Sequence, residues 1–179
     1  MILSRFLSRS QANKIGDLYG AIVAQARAAA FYRDYGVPDT VEGRFDLIVL
    51  HLVLALARLE GEEGAGRGVG QALFDVFCSD LDANLREMGV GDLAVPKRMK
   101  KFGEAFYGRQ AAYLEALVVS DLKPLEKALA RNIFGENDSA AGAARLARYA
   151  RAVLALLEDQ QDDALLRGAV VFPAPEAIT

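Results

Sequence analysis

The residues able to do chemistry here are few, and their spacing decides what they could do. His51 and Cys78 are the only histidine and cysteine among 179 residues. Nucleophilic catalysis needs a positioned base, and His51 is the one histidine available. It sits in LIVLHLVLALA with leucines on both sides. Two readings follow: a core histidine with one satisfied hydrogen bond, or the centre of a small-ligand pocket reaching that helix. A ferritin-like carboxylate centre needs Glu-x-x-His pairs, and the positions upstream of His51 are Leu47 and Ile48. One histidine and one cysteine cannot build a structural zinc site. Asp75, Asp80 and Asp82 do not converge on one helix face, and read as a solvated acidic surface. Cys78, inside FDVFCSDL, reads as a buried thiol in a reducing compartment. The glycines of GEEGAGRGVG lack the Gly-Lys-Ser/Thr ending and the preceding strand of a phosphate loop. No catalytic residue, metal ligand set or cofactor site is expected, and the chain does not read as an enzyme.

The remaining chemistry is charge. In LREMGVGDLAVPKRMKKFGEAFYGR, Leu85 to Arg109, four of the five residues from Lys97 to Lys101 are basic. From Lys97 to Arg109 there are five cations and one acid, Glu104. Pro96 suits the first helical position, so these cations open a helix. Cations there oppose the helix dipole at about 0.3–1 kcal/mol each. Val95, Met99, Phe102, Phe106, Tyr113 and Leu117 form a narrow core-facing stripe. That leaves Lys97, Arg98, Lys100, Lys101, Tyr107 and Arg109 for a partner with anionic character. The competing reading is a basic surface helix neutralised by the acidic face of the helix before it. Gly103 and Gly108 weaken the helix by up to about 1 kcal/mol each relative to Ala.

The elements that must position these residues are helices. Alanine and leucine dominate, β-branched residues are few, and no strand alternation of useful length occurs. A first helix is expected from about Asn13 to Tyr35, stopped by Gly36 and Pro38. A second runs from Asp39 or Thr40 to Leu59, with Glu42 completing an approximate capping box on Asp39. It is apolar on almost every face and should be central. Gly61–Gly70 reads as a loop. The third helix, about Val69 to Met88, carries Leu73, Phe74, Phe77, Leu81, Leu85 and Met88 on one stripe, and Gly89 ends it. The fourth runs from Pro96 to about Val119, and the fifth from Asp121-Leu-Lys-Pro to Phe134-Gly135. The sixth, capped by Ser139 or Asp138, runs from Ala140 to Leu166. Arg145, Arg148 and Arg151 face away from its core side, and Gln160–Asp163 is a point where it can split. GAVVFPAPEAIT forms an extended tail. The expectation is an all-α, single-domain bundle of about six helices. Residues 1–12 form a basic N-terminal segment, 13–135 the helical core, and 136–179 a last helix and tail of the same domain.

The net charge of −3 argues against a nucleic-acid binder, and no DNA partner is expected. MILSRFLSRSQANK lacks the long apolar stretch of a secretory signal. It reads as a first turn packed on the domain or as a short membrane-surface helix. LIVLHLVLALA is about half the length of a bilayer span. The chain is expected to be cytoplasmic, with peripheral contact at the inner membrane.

The segment LREMGVGDLAVPKRMKKFGEAFYGR resembles the signature region of the ubiquinol–cytochrome c chaperone family. PDTVEGRFDLIVLHLVLALARL resembles that family's upstream signature, and ARAAAFYRDYGVPDT fits its approach. The likeness spans about Ile15 to Phe134. It implies an assembly factor for the cytochrome bc1 complex that binds newly made cytochrome b or its assembly intermediate. It also implies action near the ribosomal tunnel exit with a small partner protein, and this chain looks like a bacterial member. The resemblance carries over no catalytic residues. A ribosome- or RNA-binding module acting through the Lys97–Arg109 patch is the other reading of the same charges.

Overall fold

A computed structural model describes residues 9–60, 65–135 and 140–178. The elements are α1 (Arg9–Ala26), α2 (Ala29–Arg33), α3 (Val41–Glu60), α4 (Ala65–Glu87), α5 (Val95–Val118), α6 (Lys123–Leu129), α7 (Ala140–Asp159) and α8 (Asp162–Leu166). A π-helical turn, Ala130–Phe134, follows α6, and a 3-10 turn, Pro175–Ala177, lies in the tail. No strand occurs among the described residues, and the fold is all-α as the composition requires.

The centre is α3, because its sequence leaves it no polar face. Leu47, Val49, Leu50, Leu52, Val53 and Leu54 are each 0% exposed. An all-round apolar helix must be covered on every side, and α1, α4, α5 and α7 all pack on it. Its start is set locally: Thr40 Oγ1 accepts the Gly43 N–H at 3.1 Å, an N-cap bond. The expected Asp39–Glu42 box is replaced by an Asp39–Arg44 ion pair at 2.7 Å. Only glycine fits at 43, since a Cβ would stand 2.1 Å from the Pro38 carbonyl oxygen.

Several expectations need correction. The first helix is two. Ala28 takes an extended backbone (φ −59°, ψ 128°) that separates α1 from α2. The Tyr32 hydroxyl donates to the freed Ala26 carbonyl at 3.0 Å. The break lets Phe31 and Tyr35 turn fully inward. Ala65–Gly70 are helical rather than loop, because Gly66 and Gly70 pack inward and tertiary contact overrides glycine's low propensity. Met88 leaves the core stripe of α4 and is 60% exposed, since the helix ends at Glu87. The sixth helix does split, at an extended Gln161. Two arginines of α7 do not simply face water: Arg145 donates to the Ile178 carbonyl and Arg151 to the Val119 carbonyl. The tail folds back on the bundle. Gln160 exchanges two bonds with Val171, and the Tyr35 hydroxyl donates to the Pro175 carbonyl at 2.7 Å. The readings of residues 1–8 and of a Ser139 or Asp138 cap lie outside the described residues.

Candidate functional site

His51 resolves first. It is 0% exposed, and both ring nitrogens are engaged. Nδ1 lies 2.7 Å from the Leu47 carbonyl, which can only accept, so Nδ1 carries the proton. Nε2 therefore accepts from the Tyr149 hydroxyl at 2.9 Å. That hydroxyl in turn accepts from Gln25 Nε2 at 2.8 Å, and the same amide donates to the Pro173 carbonyl. Phe31, Tyr149 and the tail's Phe172 close around the ring, each with its centroid 5.5 Å away. Burial pushes the imidazole down to about 4, so it stays neutral. A network with every donor matched holds α1, α3, α7 and the tail together. It leaves this ring no free nitrogen for a ligand.

The charged candidates lie on α5, and the turn before it sets their placement. Gly89, at φ +78°, ends α4, and the Val90 N–H reaches back to the Leu85 carbonyl at 3.0 Å. Arg86 ties Asp92 to Asp82 across the turn. Helical bonding resumes at once: the Val95 N–H reaches the Gly91 carbonyl at 3.2 Å. Leu93 therefore stands in register with Lys97, Lys100 and Tyr107 on the outward face. Leu93 is 99% exposed and Tyr107 59%. Leaving one leucine in water forgoes about 1.5–3 kcal/mol.

The cations on this face are unmet. Lys97, Arg98 and Lys101 are exposed and form no ion pair among the described residues. Lys100 approaches Glu104 at 3.8 Å, with both side chains mostly in water, a contact worth little. No side chain caps the helix start and no acid occupies its first turn. The acidic face of α4 does not neutralise this end, because Asp82 and Asp92 are occupied by Arg86 and Asp80 accepts from the Tyr19 hydroxyl.

Arg109 parts from the other five candidates. It points inward, with Nη2 2.8 Å from Asp46 Oδ1 on α3. Asp46 is 5% exposed, and its removal from water raises its carboxyl to about 6 despite the guanidinium beside it. Arg109 Nε, Asp46 Oδ1, Tyr113 Oη and Asn132 Nδ2 are buried without a hydrogen-bond partner. The Arg109–Asp46 contact is thus a close ion pair rather than an aligned bond. Its place is the α3–α5 interface.

Beside Tyr107 the surface opens into a cleft of about 200 Å³ between α4 and α5. Gly66, Arg67, Gly70 and Gln71 line its α4 side, Tyr107 and Gln110 its α5 side, and Phe74, Phe106 and Leu56 of α3 complete the lining. The Tyr107 ring rests on Phe74 at 5.8 Å and on Phe106 at 5.4 Å. Sequence reasoning missed this cleft because its α4 wall lies in the glycine stretch read as a loop. It also missed Leu93, although its place four residues before Lys97 was a usable signal.

Fold and surface together define an all-α protein that offers a helix face with adjoining cleft. No group of His, Cys, Asp and Glu among the described residues could hold a metal ion. No described helix is long and apolar enough to cross a membrane. A family profile described as ubiquinol-cytochrome C chaperone matches residues 33–172. The chain belongs to that family. It is similar to ubiquinol-cytochrome-c reductase complex assembly factor 1 of Xenopus laevis, 26% identical over 157 residues that cover 87% of this chain and 78% of the relative. The Drosophila melanogaster protein of that name is 27% identical over 82% of this chain. The chain spans 58% of that relative and 52% of the Homo sapiens one. The crystal structure of the Cbp3 homolog from Brucella abortus superposes with a TM-score of 0.87 at 39% identity, with both chains covered in full.

Proposed function

We propose that this protein is a non-catalytic assembly chaperone for ubiquinol–cytochrome c reductase, and that it binds newly made cytochrome b or its assembly intermediate. Its relatives' names carry the complex. The observation that supports the binding mode is the outer face of α5, where Tyr107 lines the α4–α5 cleft and Lys100 stands two turns before it on the same flank. A membrane subunit in assembly presents apolar helical segments joined by polar loops. The aromatic rings of the cleft suit an apolar side chain of such a segment, and the lining Arg67, with Lys100 farther along the flank, suits an acidic group beside it. Arg109, tied to Asp46, positions α5 from behind and makes no contact of its own with the client.

Deleting the protein from its own cells tests this reading. Assembled bc1 complex and cytochrome b should fall to a small fraction of normal while the cytochrome b transcript persists. Normal cytochrome b in the deletion strain would falsify it. A ribosome or RNA partner on the same cations would show steeply salt-dependent binding, whereas a largely apolar client contact changes little with salt.

A further inference from the structure

The end of α5 farthest from the cleft shows a second unmet surface. Leu93 sits at the apex of the α4–α5 turn with 99% of its surface in water, and Met88 across the turn is 60% exposed. Both are large apolar side chains. The turn that carries them is rigidly built, through the Gly89 stop, the Val90–Leu85 bond and the Arg86–Asp92 pair. Behind Leu93, at one- and two-turn spacing, stand Lys97 and Lys101, with Arg98 beside them. None of the three forms an ion pair among the described residues. An apolar apex backed by free cations matches a surface that is anionic at its face and apolar just beneath.

We propose that the α4–α5 turn docks on an anionic lipid bilayer, with Leu93 and Met88 entering between headgroups and Lys97, Arg98 and Lys101 meeting lipid phosphates. Charge complementarity selects this occupant. Basic side chains next to a membrane gain from the negative surface potential, and single apolar side chains insert at the headgroup level. RNA would use the cations but gives a fully exposed leucine nothing to enter. The acids of the turn limit the pose. Glu87 is exposed, and Asp92 and Asp82 share Arg86, so the α5 side of the turn must lead. Leu93 and Tyr107 are fourteen residues apart, about 20 Å along the helix axis. The turn can therefore rest on lipid while the cleft stays open. The proposal stands on the turn alone and does not rest on cytochrome b being the client.

The test is sedimentation of the full chain with vesicles of phosphatidylcholine, with and without phosphatidylglycerol. The protein should pellet with the anionic vesicles and remain in the supernatant with the neutral ones. Lys97→Glu with Arg98→Glu should weaken the anionic binding about tenfold or more. Leu93→Ser should weaken it several-fold. Both variants alter only exposed positions, and a cooperative melt no lower than that of the wild type confirms that each is folded. Absence of binding to anionic vesicles overturns the proposal, as does binding that either variant leaves at the wild-type level. RNA binding that survives Leu93→Ser, without vesicle binding, overturns it too. If bc1 assembly survives while vesicle binding is absent, this inference falls and the chaperone reading stands.

Discussion

Two helices of this protein carry runs of cations, and they use them in opposite ways. On α7, Arg145 donates to the Ile178 carbonyl at 2.9 Å and lies 4.3 Å from the Tyr35 ring centroid. Arg151 donates to the Val119 carbonyl at 2.7 Å, serving the C-terminal end of α5. There the helix dipole favours a cation. On α5, the cations crowd the opposite end, where the dipole disfavours them, and Lys97, Arg98 and Lys101 meet no acid among the described residues. The arginines of α7 hold the tail and α5 in place. Those three cations of α5 do nothing visible for the fold and stand ready for something outside it. Counting cations in a sequence does not separate the two; the register of each against its neighbours does.

The comparison breaks most readily at Arg109, the one cation of α5 that behaves like those of α7. Arg109→Ala leaves Asp46 uncompensated at the α3–α5 interface and should destabilise the fold by about 3 kcal/mol. Urea unfolding checks this, and a change below about 1 kcal/mol would show that the pair contributes little.

Titration comes next in size. Asp46 is raised to about 6, so its share of stability is full below its unfolded value of 3.8 and is lost as pH rises through about 6. His51 is lowered to about 4, so its share is full above its unfolded value of 6.5 and is lost as pH falls through about 4. The two oppose each other across nearly the same window, each worth roughly 3 kcal/mol. Asp46→Asn should expose the acid sensitivity of His51. Conversely, His51→Gln should leave a protein that gains stability on acidification. Melting temperatures recorded from pH 4 to 7 read both, and wild-type profiles in the two variants would contradict the burial account of α3.

Smaller still, Arg145→Ala removes one ring contact and its bonds to the Ile178 and Asp34 carbonyls, and should cost about 1–2 kcal/mol. On the outer face of α5 the sign should reverse. Lys97→Glu puts an acid at the helix start and should stabilise by about 0.3–1 kcal/mol. Gly103→Ala and Gly108→Ala should add up to about 1 kcal/mol each, since a Cβ at either position meets nothing within 4 Å. Destabilisation by all three would mean that the outer face of α5 serves the fold after all.

Much of the fold was legible because it follows from local rules. Pro96 opens α5, Gly89 and Gly135 close their helices at positive φ, and the all-round apolar run of α3 had to be central. The break at Ala28 was not legible, since ARAAAFYR contains no residue that ends a helix. Burial of Phe31 and Tyr35 against His51 and Tyr149 decides it, and those contacts span the chain. Ala65–Gly70 misled for the converse reason, because packing on α3 stabilises a helix that propensity opposes. At the candidate surface, the side of α5 on which Lys97 and Tyr107 lie could be read from the wheel. The inward turn of Arg109 depended on Asp46, sixty-three positions earlier, and no local pattern announces such a pair.

The central claim is that the outer face of α5 meets a partner. The most direct measurement is the cytochrome b that co-purifies with the tagged protein from its own cells. The Lys100→Glu, Tyr107→Ala variant is compared with the wild type at matched thermal stability. The account predicts a loss of about tenfold or more, as expected for an aromatic anchor and an adjacent charge at an interface. Undiminished cytochrome b on the folded variant would contradict it.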